Sequence, residues 1–283
     1  MSNIAVIGIV GNSVFLPVDH FHKGEETVEA TSVHFEPGGK GFNQAVAAKR
    51  CGMDVSFLAA VGYEYRKEFA DYLDNEGMDH TLVFKEESTA FAAIVTDKSG
   101  SNHVTVYQGA QLSPADVLLF EDSIKKADIL LLNNEVAEEV NVAAIKIAKK
   151  HGVKCILNPA PARVTSDFLL ESVDLFTPNE HELLGIEDKK NVIVTLGAKG
   201  CLIKQTGEQI PGTSFGAAVD TTGAGDTFNG VLTAMLASGY TLEKSAKIAN
   251  AVAALGVTRK YAASSIPSEK EITEIKNDTL NKK

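Results

Sequence analysis

Short apolar runs alternate with amphipathic stretches along most of the chain. Continuous apolar runs predict buried strands at residues 3–9, 55–60, 128–133, 154–158, 173–177 and 191–196. Apolar positions at helical spacing predict helices over 65–76, 138–151, 224–238 and 242–257, and Gly77 and Gly152 end the first two. Buried strands that alternate with helices are typical of an α/β fold with a mostly parallel central sheet, covered by helices on both faces.

Two segments, residues 27–35 and 91–107, do not follow this alternation of strands and helices. They read as strands of alternating character with no helix between them, and the second has a turn at 97–100. We therefore predict a small antiparallel β lid outside the main sheet, formed by about residues 12–37 and 88–110. No repeat or linker interrupts the chain, so residues 1–283 are predicted to form one domain.

The connection over residues 178–190 is unusually short for a link between two parallel strands. Its 13 residues are close to the minimum for such a crossover, so we expect no more than one or two helical turns there.

Composition and charge restrict the possible partners and the compartment. The chain has 27 basic and 37 acidic residues, and a net charge of −10 disfavours binding to nucleic acid. Cys51, Cys155 and Cys201 form no CxxC pair, which is typical of a reducing compartment. The uncharged N-terminal 18 residues lack a basic leader, and no run reaches the roughly 18 apolar residues of a membrane span. We expect a cytoplasmic protein without a membrane partner.

The strongest local motif is DTTGAGDTFNG at 220–230, between an apolar segment and an Ala-rich helix. Gly223, Ala224 and Gly225 allow a tight turn whose N–H groups converge at a helix N-terminus, where an anion such as phosphate is favoured. Asp226 follows in the first helical turn, where a carboxylate can accept a proton from an attacking hydroxyl. A capping aspartate beside a glycine turn is the alternative interpretation of these residues.

A second motif, PGGKGFNQA at 37–45, begins another helix. Gly38 and Gly39 allow close approach of the backbone, and Lys40 and Asn43 offer hydrogen-bond donors to ligand hydroxyls. A glycine turn that merely starts a helix is the alternative.

Two better-known glycine motifs are excluded. A dinucleotide-binding GxGxxG that starts at Gly223 would need glycine where Phe228 stands. A P-loop ending at Lys40 would need glycine at His34 and Ser or Thr at Gly41.

Together the two motifs resemble the N- and C-terminal signatures of the ribokinase-like (PfkB-type) carbohydrate kinases. Four further stretches agree in the same order: NPAP at 158–161, TPNE at 177–180, TLGAKG at 195–200 and VTRK at 257–260. The resemblance covers about residues 3–270. It implies a ribokinase-like three-layer fold and ATP-dependent phosphorylation of a primary hydroxyl on a sugar or sugar-like molecule. It also implies Mg²⁺ and K⁺ as cofactors and a homodimer formed through the lid.

The resemblance also implies a role for individual residues. Asp226 would be the general base, and the backbone of Gly223, Ala224 and Gly225 would form the anion hole. The sugar would be held by Ser13, Gly39, Lys40, Asn43, Glu135 and Asp226. The nucleotide would be held by Asn179, Thr195, Gly197, Gly200, Gly225 and Asn250, and Glu182 would hold Mg²⁺ through water. A monovalent cation would lie among Asp220, Thr222, Gly256, Arg259, Tyr261 and Ser265.

Three features depart from the family pattern. Ser13 stands where ribose-binding members have a carboxylate that grips two sugar hydroxyls. The family's crossover helix is mostly missing from 178–190, and Tyr261 replaces a glycine that is frequent at the cation loop. The first departure argues against plain ribose as the substrate.

Two other functions remain open from the sequence. A nucleoside kinase shares both signatures, and Phe15, Phe42 and Phe91 would supply a pocket for its base. A non-catalytic sugar-sensing homologue would keep the fold, although the presence of Asp226 and the GAG turn favours an enzyme.

Overall fold

The computed structural model describes residues 2–98 and 101–281. Its strands are β1 Asn3–Ile7, β2 Gly11–Pro17, β3 His34–Gly38, β4 Asp54–Gly62, β5 Asp79–Lys85, β6 Ala90–Thr96, β7 Asn102–Tyr107, β8 Ile129–Asn133, β9 Lys154–Asn158, β10 Leu175–Phe176, β11 Ile193–Thr195, β12 Gly200–Ile203 and β13 Glu208–Pro211. Its α-helices are α1 Lys40–Arg50, α2 Arg66–Asn75, α3 Glu121–Lys126, α4 Glu138–Lys150, α5 Asp167–Ser172, α6 Ala224–Ala237, α7 Leu242–Gly256 and α8 Glu269–Asn281.

The central sheet has six strands in the order β10-β9-β8-β1-β4-β5, and every neighbouring pair is parallel. Isolated β-bridges connect the β10 edge of this sheet to the antiparallel sheet β11-β12-β13. The side chains of β1 alternate between two core clusters. Ile4 and Val6 pack in the cluster that includes α1, α6 and α7, and Ala5 and Ile7 pack in the cluster that includes α4. The predicted three-layer α/β fold is confirmed.

Helices α1 and α6 pack in direct contact because a glycine lies where they touch. A Cβ built on Gly230 of α6 would lie 2.3 Å from the carbonyl oxygen of Gln44 in α1. Each helix also begins at a glycine with positive φ, Gly39 at 109° and Gly223 at 77°. The close contact brings the first turns of the two helices side by side.

The lid is a four-stranded sheet in the order β3-β2-β6-β7. Its outer pairs are antiparallel, but the central pair β2–β6 is parallel, so the lid is mixed rather than wholly antiparallel. A strand over 27–35 is wrong, because β3 begins only at His34. Residues 27–33 are mostly exposed, with Ala30 bridged to Val18, and so have no face to bury. The turn expected at 97–100 lies partly outside the described residues.

The connection over 178–190 forms turns without a helix, which lies within the limit of one or two helical turns expected from its length. Strand β5, which the sequence pattern did not reveal, lies at the free edge of the main sheet, and none of its residues is fully buried. No helix in the described ranges has the length and apolarity needed to cross a membrane.

Candidate active site

The N-terminus of α6 is an open backbone turn suited to an anion. Gly223 is the N-cap residue in the left-handed region. The N–H of Ala224 donates to the carbonyl of Thr221 at 3.2 Å, and the N–H groups of Gly225 and Asp226 have no partner within the helix. A Cβ built on Gly225 meets no atom within 4 Å, so the space in front of this turn is free. The helix dipole adds partial positive charge at the same place. The turn can therefore receive a phosphoryl group.

Asp226 is a buried carboxylate in the first turn of α6, with 6% of its surface exposed. Its Oδ2 accepts a hydrogen bond from Nδ2 of Asn43 at 3.0 Å, and its Oδ1 accepts one from Nε2 of Gln44 at 3.2 Å. Both donors come from α1. The contact between the two helices thus holds the carboxylate in one orientation beside the anion turn.

Gln44 continues a buried polar network that the sequence reasoning missed. Its Nε2 also donates to Oδ1 of Asn158 at 3.1 Å, and Asn158 donates to the carbonyl of Thr177 at 2.9 Å. The Thr177 hydroxyl bonds the side chain of Asn229, whose Nδ2 donates to the carbonyl of Gly225 at 2.8 Å. The network returns to the anion turn. A glutamine next to the apolar run AVAA was the available signal.

Lys40 and Glu135 lie near Asp226, and the charges of both carboxylates act on the Lys40 side chain. The backbone N–H of Lys40, the first residue of α1, donates at 2.7 Å to Oε2 of Glu135, which lies just after β8. The carboxylate of Asp226, more than those of Glu135 and Glu182, raises the pKa of Lys40 against the effect of burial. Burial raises the pKa of Glu135 to about 7, although Lys40 opposes the shift. These groups can donate to and accept from hydroxyls.

Ser13 lies on β2, with 7% of its surface exposed, and faces the glycine turn before α1. A Cβ built on Gly38 would lie 2.2 Å from the Oγ of Ser13. Gly39 is equally confined, since a Cβ there would lie 2.4 Å from the carbonyl oxygen of Ile9. The lid residue and the PGGKG turn therefore line one space.

The predicted nucleotide residues fall in two groups. Asn179 is bridged to Thr195, and its backbone N–H and Nδ2 both donate to the carboxylate of Glu182, each at 2.9 Å. Gly197 and Gly200 shape the turn before β12, with φ of 56° and 92°. Asn250 of α7 donates to the carbonyl of Pro211 at 2.9 Å, beside β13.

The predicted cation loop is organised around Asp220. Its Oδ1 accepts from the N–H and hydroxyl of Thr222, at 2.9 and 2.7 Å, and its Oδ2 accepts from the N–H of Tyr261 at 3.0 Å. Tyr261 adopts φ of 75°, which explains why glycine is frequent at this position. The Ser265 hydroxyl donates to the carbonyl of Ala262.

Two further members of that set lie at the end of α7. A Cβ built on Gly256 would lie 3.5 Å from the carbonyl oxygen of Ser265, so the two backbones are close. The Arg259 side chain pairs with Glu271 of α8, which leaves its backbone carbonyl as the group available to an ion. The predicted cation residues are thus brought together, and the contacts of the Asp220 carboxylate itself come from N–H and hydroxyl donors.

The three phenylalanines expected for a base pocket do not come together. Phe15 packs edge-on against Tyr261 with ring centroids 5.0 Å apart, and Phe42 lies in the core against Phe57 and Tyr72. Phe91, 40% exposed, pairs with Asn12 in the lid, and because Asn12 and Phe15 are three residues apart on β2, Phe91 and Phe15 face opposite sides of the sheet. These side chains do not form an aromatic pocket.

Comparison with known proteins identifies the class. The model of the pfkB family of carbohydrate kinases matches residues 1–269, and the chain belongs to this family. The protein is therefore a phosphotransferase that acts on an alcohol group.

Individual relatives agree over nearly the whole length. The chain is 36% identical to a ribokinase of Haemophilus influenzae, covering 96% of this chain and 97% of that one. It is 34% identical to a deoxyribokinase of Salmonella typhi, covering 96% and 98%. The structure of Arabidopsis thaliana ribokinase complexed with ribose and ATP superposes with a TM-score of 0.83 at 26% identity, covering 98% and 99%.

Proposed function

We propose that the protein transfers a phosphoryl group from ATP to a primary hydroxyl of a sugar or sugar-like small molecule, with Asp226 as the general base. The observation that carries the proposal is the buried Asp226 carboxylate, fixed by Asn43 and Gln44 beside an open helix N-terminus. A base next to an anion hole is the arrangement that phosphoryl transfer requires.

The chemical step uses few groups. Asp226 accepts the proton of the attacking hydroxyl, and the backbone N–H groups of residues 223–225 stabilise charge on the transferred phosphoryl. Gly39, Lys40, Asn43 and Glu135 orient the sugar, while the lid excludes water. Asn179, Thr195, Gly197, Gly200 and Asn250 hold the nucleotide.

Mg²⁺ fits this site as an ion held mostly by phosphates. Within the described parts of the chain, no three His, Cys, Asp or Glu side chains form a metal-binding cluster. Mg²⁺ typically uses one or two carboxylates together with substrate phosphates. Glu182 would hold the ion through water, and the bound ion would neutralise phosphate charge.

A monovalent cation would be held by carbonyls and the carboxylate around Asp220, Thr222, Gly256, Arg259, Tyr261 and Ser265. Its positive charge lies next to the anion hole and supports it. Activity should rise when Na⁺ or a bulky organic cation is replaced by K⁺, and equal rates in all three salts would remove this cation from the proposal.

The proposal extends to the compartment and the assembly. All three cysteines are free thiols, which agrees with a cytoplasmic enzyme in a reducing environment. Strand β7 is exposed along its whole length, and an open strand edge favours pairing with another chain. We therefore expect a homodimer formed through the lid.

An activity panel tests the function directly. Ribose, 2-deoxyribose, other pentoses, hexoses and nucleosides are each incubated with ATP, and ADP release and the phosphorylated product are measured. We expect one sugar or sugar-like compound to be phosphorylated at a primary hydroxyl. Preference for nucleosides would support the alternative nucleoside kinase, and no product with any compound would support a sensing role.

A further inference from the structure

Glu36 of the lid strand β3 is a buried carboxylate, 6% exposed, that the sequence did not single out. Its Oε1 accepts the backbone N–H groups of Ala262 and Ala263, at 2.8 and 3.0 Å. Its Oε2 accepts the N–H of Ser264 at 3.0 Å and the hydroxyl of the same residue. Both carboxylate oxygens of Glu36 thus accept hydrogen bonds from one loop outside the lid, residues 262–264. Hydrogen bonds to a charged acceptor are about twice as strong as neutral ones.

The loop that Glu36 holds is itself joined to the anion hole. The N–H of Tyr261 donates to Asp220 at 3.0 Å, and the other oxygen of Asp220 holds Thr222. Thr222 directly precedes Gly223. A Cβ built on Gly223 would lie 3.2 Å from the Cα of Ala262, so the loop packs against the turn. Hydrogen bonds and packing therefore run without a gap from β3 to the phosphate site.

A second contact from β3 supports the loop where its backbone is strained. Tyr261 adopts φ of 75°, a region that a residue with a bulky side chain rarely occupies. The His34 ring stacks on the Tyr261 ring, with centroids 3.7 Å apart and planes at 10°. Such a conformation persists only where the surroundings fix it. His34 and Glu36 provide that support from the same strand.

The lid also carries the candidate sugar contact next to Glu36. Ser13 of β2 is the register partner of Glu36 across the antiparallel pair β2–β3. A shift of the lid on sugar binding would therefore move the strand that holds the loop.

We propose that Glu36 is a positioning residue that fixes residues 261–265 against Gly223 and so couples the lid to the anion hole. The inference rests on the proposed role of residues 223–225 in holding the phosphoryl group. Glu36 does not contact the substrate in this account, because its oxygens are occupied by the loop.

The variant Glu36→Gln tests the coupling, because one of the two acceptor oxygens becomes an NH2 group, which cannot accept the loop N–H groups that face it, and the charge is also removed. Glu26→Gln is the control: Glu26 also accepts a backbone N–H, from Lys23, but lies in the connection that precedes β3 and does not reach the loop. Ser264→Ala, which removes only the hydroxyl contact, is a milder second variant if Glu36→Gln fails to fold.

Two readouts are measured on the full chain. Hydrogen exchange of the amides in 221–226 and 261–265 should become faster in Glu36→Gln and stay unchanged in Glu26→Gln. The kcat at saturating substrates should fall about 10-fold or more, with little change in the sugar KM, since a misplacement of about 1 Å can cost about 10²-fold. Glu36→Asp, which keeps the charge, should recover part of the loss.

Three results would contradict the coupling or the function on which it rests, and the measurements distinguish them. Faster exchange confined to 261–265 with an unchanged kcat would make Glu36 a structural anchor only and overturn the coupling. A rise in the sugar KM alone would make it a sugar ligand. Because exchange is read without substrate, a wild-type protein that phosphorylates nothing would contradict the proposed function and leave the exchange result to decide the coupling.

Discussion

The junction of α1 and α6 and the lid sheet are built on opposite principles. At the junction Asp226, Asn43 and Gln44 are buried and bonded to one another. In the lid every residue of β7 is exposed, Val106 to 56%. The junction is a continuation of the core, whereas the outer lid is a thin sheet with an open edge. We infer that the reacting groups depend on core packing, while the lid can change without loss of the fold.

The comparison separates the two signature motifs from the departure that concerns the sugar. The GAGD and GGKG motifs lie in the close-packed body, where Gly230, Gly39 and Gly223 admit no side chain without a clash or strained φ. Ser13, the departure that affects the substrate, lies in the lid. Of the three departures, only Ser13 lies in the lid, while the 178–190 connection and Tyr261 lie in the body.

Gln44→Leu should have the largest effect among changes that leave the reacting groups themselves intact. It removes the donor to Asp226 and leaves Oδ1 of Asn158 without its Gln44 donor, which costs about 1–3 kcal/mol of unfolding free energy. We expect kcat to fall about 10-fold or more, because the carboxylate loses one of the two hydrogen bonds that fix its orientation. Gln111→Leu, whose amide bonds only nearby carbonyls, is the control. An unchanged kcat would show that the junction does not position Asp226.

Ser13→Asp should shift preference toward ribose. A carboxylate at this position can accept from two neighbouring hydroxyls. Gly38, which has no side chain, lies directly against the Ser13 Oγ, so a Cβ at residue 38 would clash there. The ratio of kcat/KM for ribose to that for the best wild-type substrate should rise about 10-fold, as expected for about 1.4 kcal/mol. Ser13→Ala serves as the control. A wild-type kcat/KM for ribose above about 10⁴ M⁻¹s⁻¹ would contradict this account of the lid.

The pH dependence should report Glu135. Its pKa of about 7 means that the side chain ionises as pH rises through neutrality, and the charged form accepts sugar hydroxyls more strongly. The sugar KM should therefore fall severalfold between about pH 6 and about pH 8 in the wild type and stay flat in Glu135→Gln.

Ionisation of Glu135 should also affect the unfolding free energy, and here the effect of rising pH is unfavourable. Because the pKa is raised in the native state, that state keeps a proton that the unfolded chain has released, and unfolding free energy decreases as pH rises from about 4.5 to about 7. Glu135→Gln should lose this slope. A wild-type KM profile identical to that of the variant would remove Glu135 from sugar binding.

Val106→Lys should have the smallest effect on stability. The side chain is more than half exposed, so unfolding free energy should change by no more than about 0.5 kcal/mol. If the lid edge joins two subunits, light scattering should show the mass fall toward the 30.1 kDa of one chain. A wild-type mass that stays at 30.1 kDa at all concentrations would contradict the dimer.

The elements that the sequence predicted best are those with a strong local signal. The main strands, the two Ala-rich helices and the helix starts at Gly39 and Gly223 follow from apolar runs and glycine chemistry. Strand β5 was not predicted, because an edge strand buries few residues and so has no long continuous apolar run. The strand expected over 27–35 failed because alternation alone does not say whether a face has anything to pack against.

The candidate site divides in the same way. Asp226, Lys40 and Asn43 lie in motifs and were predicted from them. Gln44 could have been suspected from its place beside an apolar run. Glu36 could not, because its partners stand more than 220 positions away in sequence and only the fold brings them together.

The most direct test of the account is the turnover of Asp226→Asn. The amide can still occupy the first turn of α6, so the fold and KM should be retained while proton acceptance is lost. We expect kcat to fall about 10²–10⁴-fold, with Asp122→Asn, an exposed change on α3, as the control. A variant that keeps near-normal kcat with unchanged KM would contradict Asp226 as the general base.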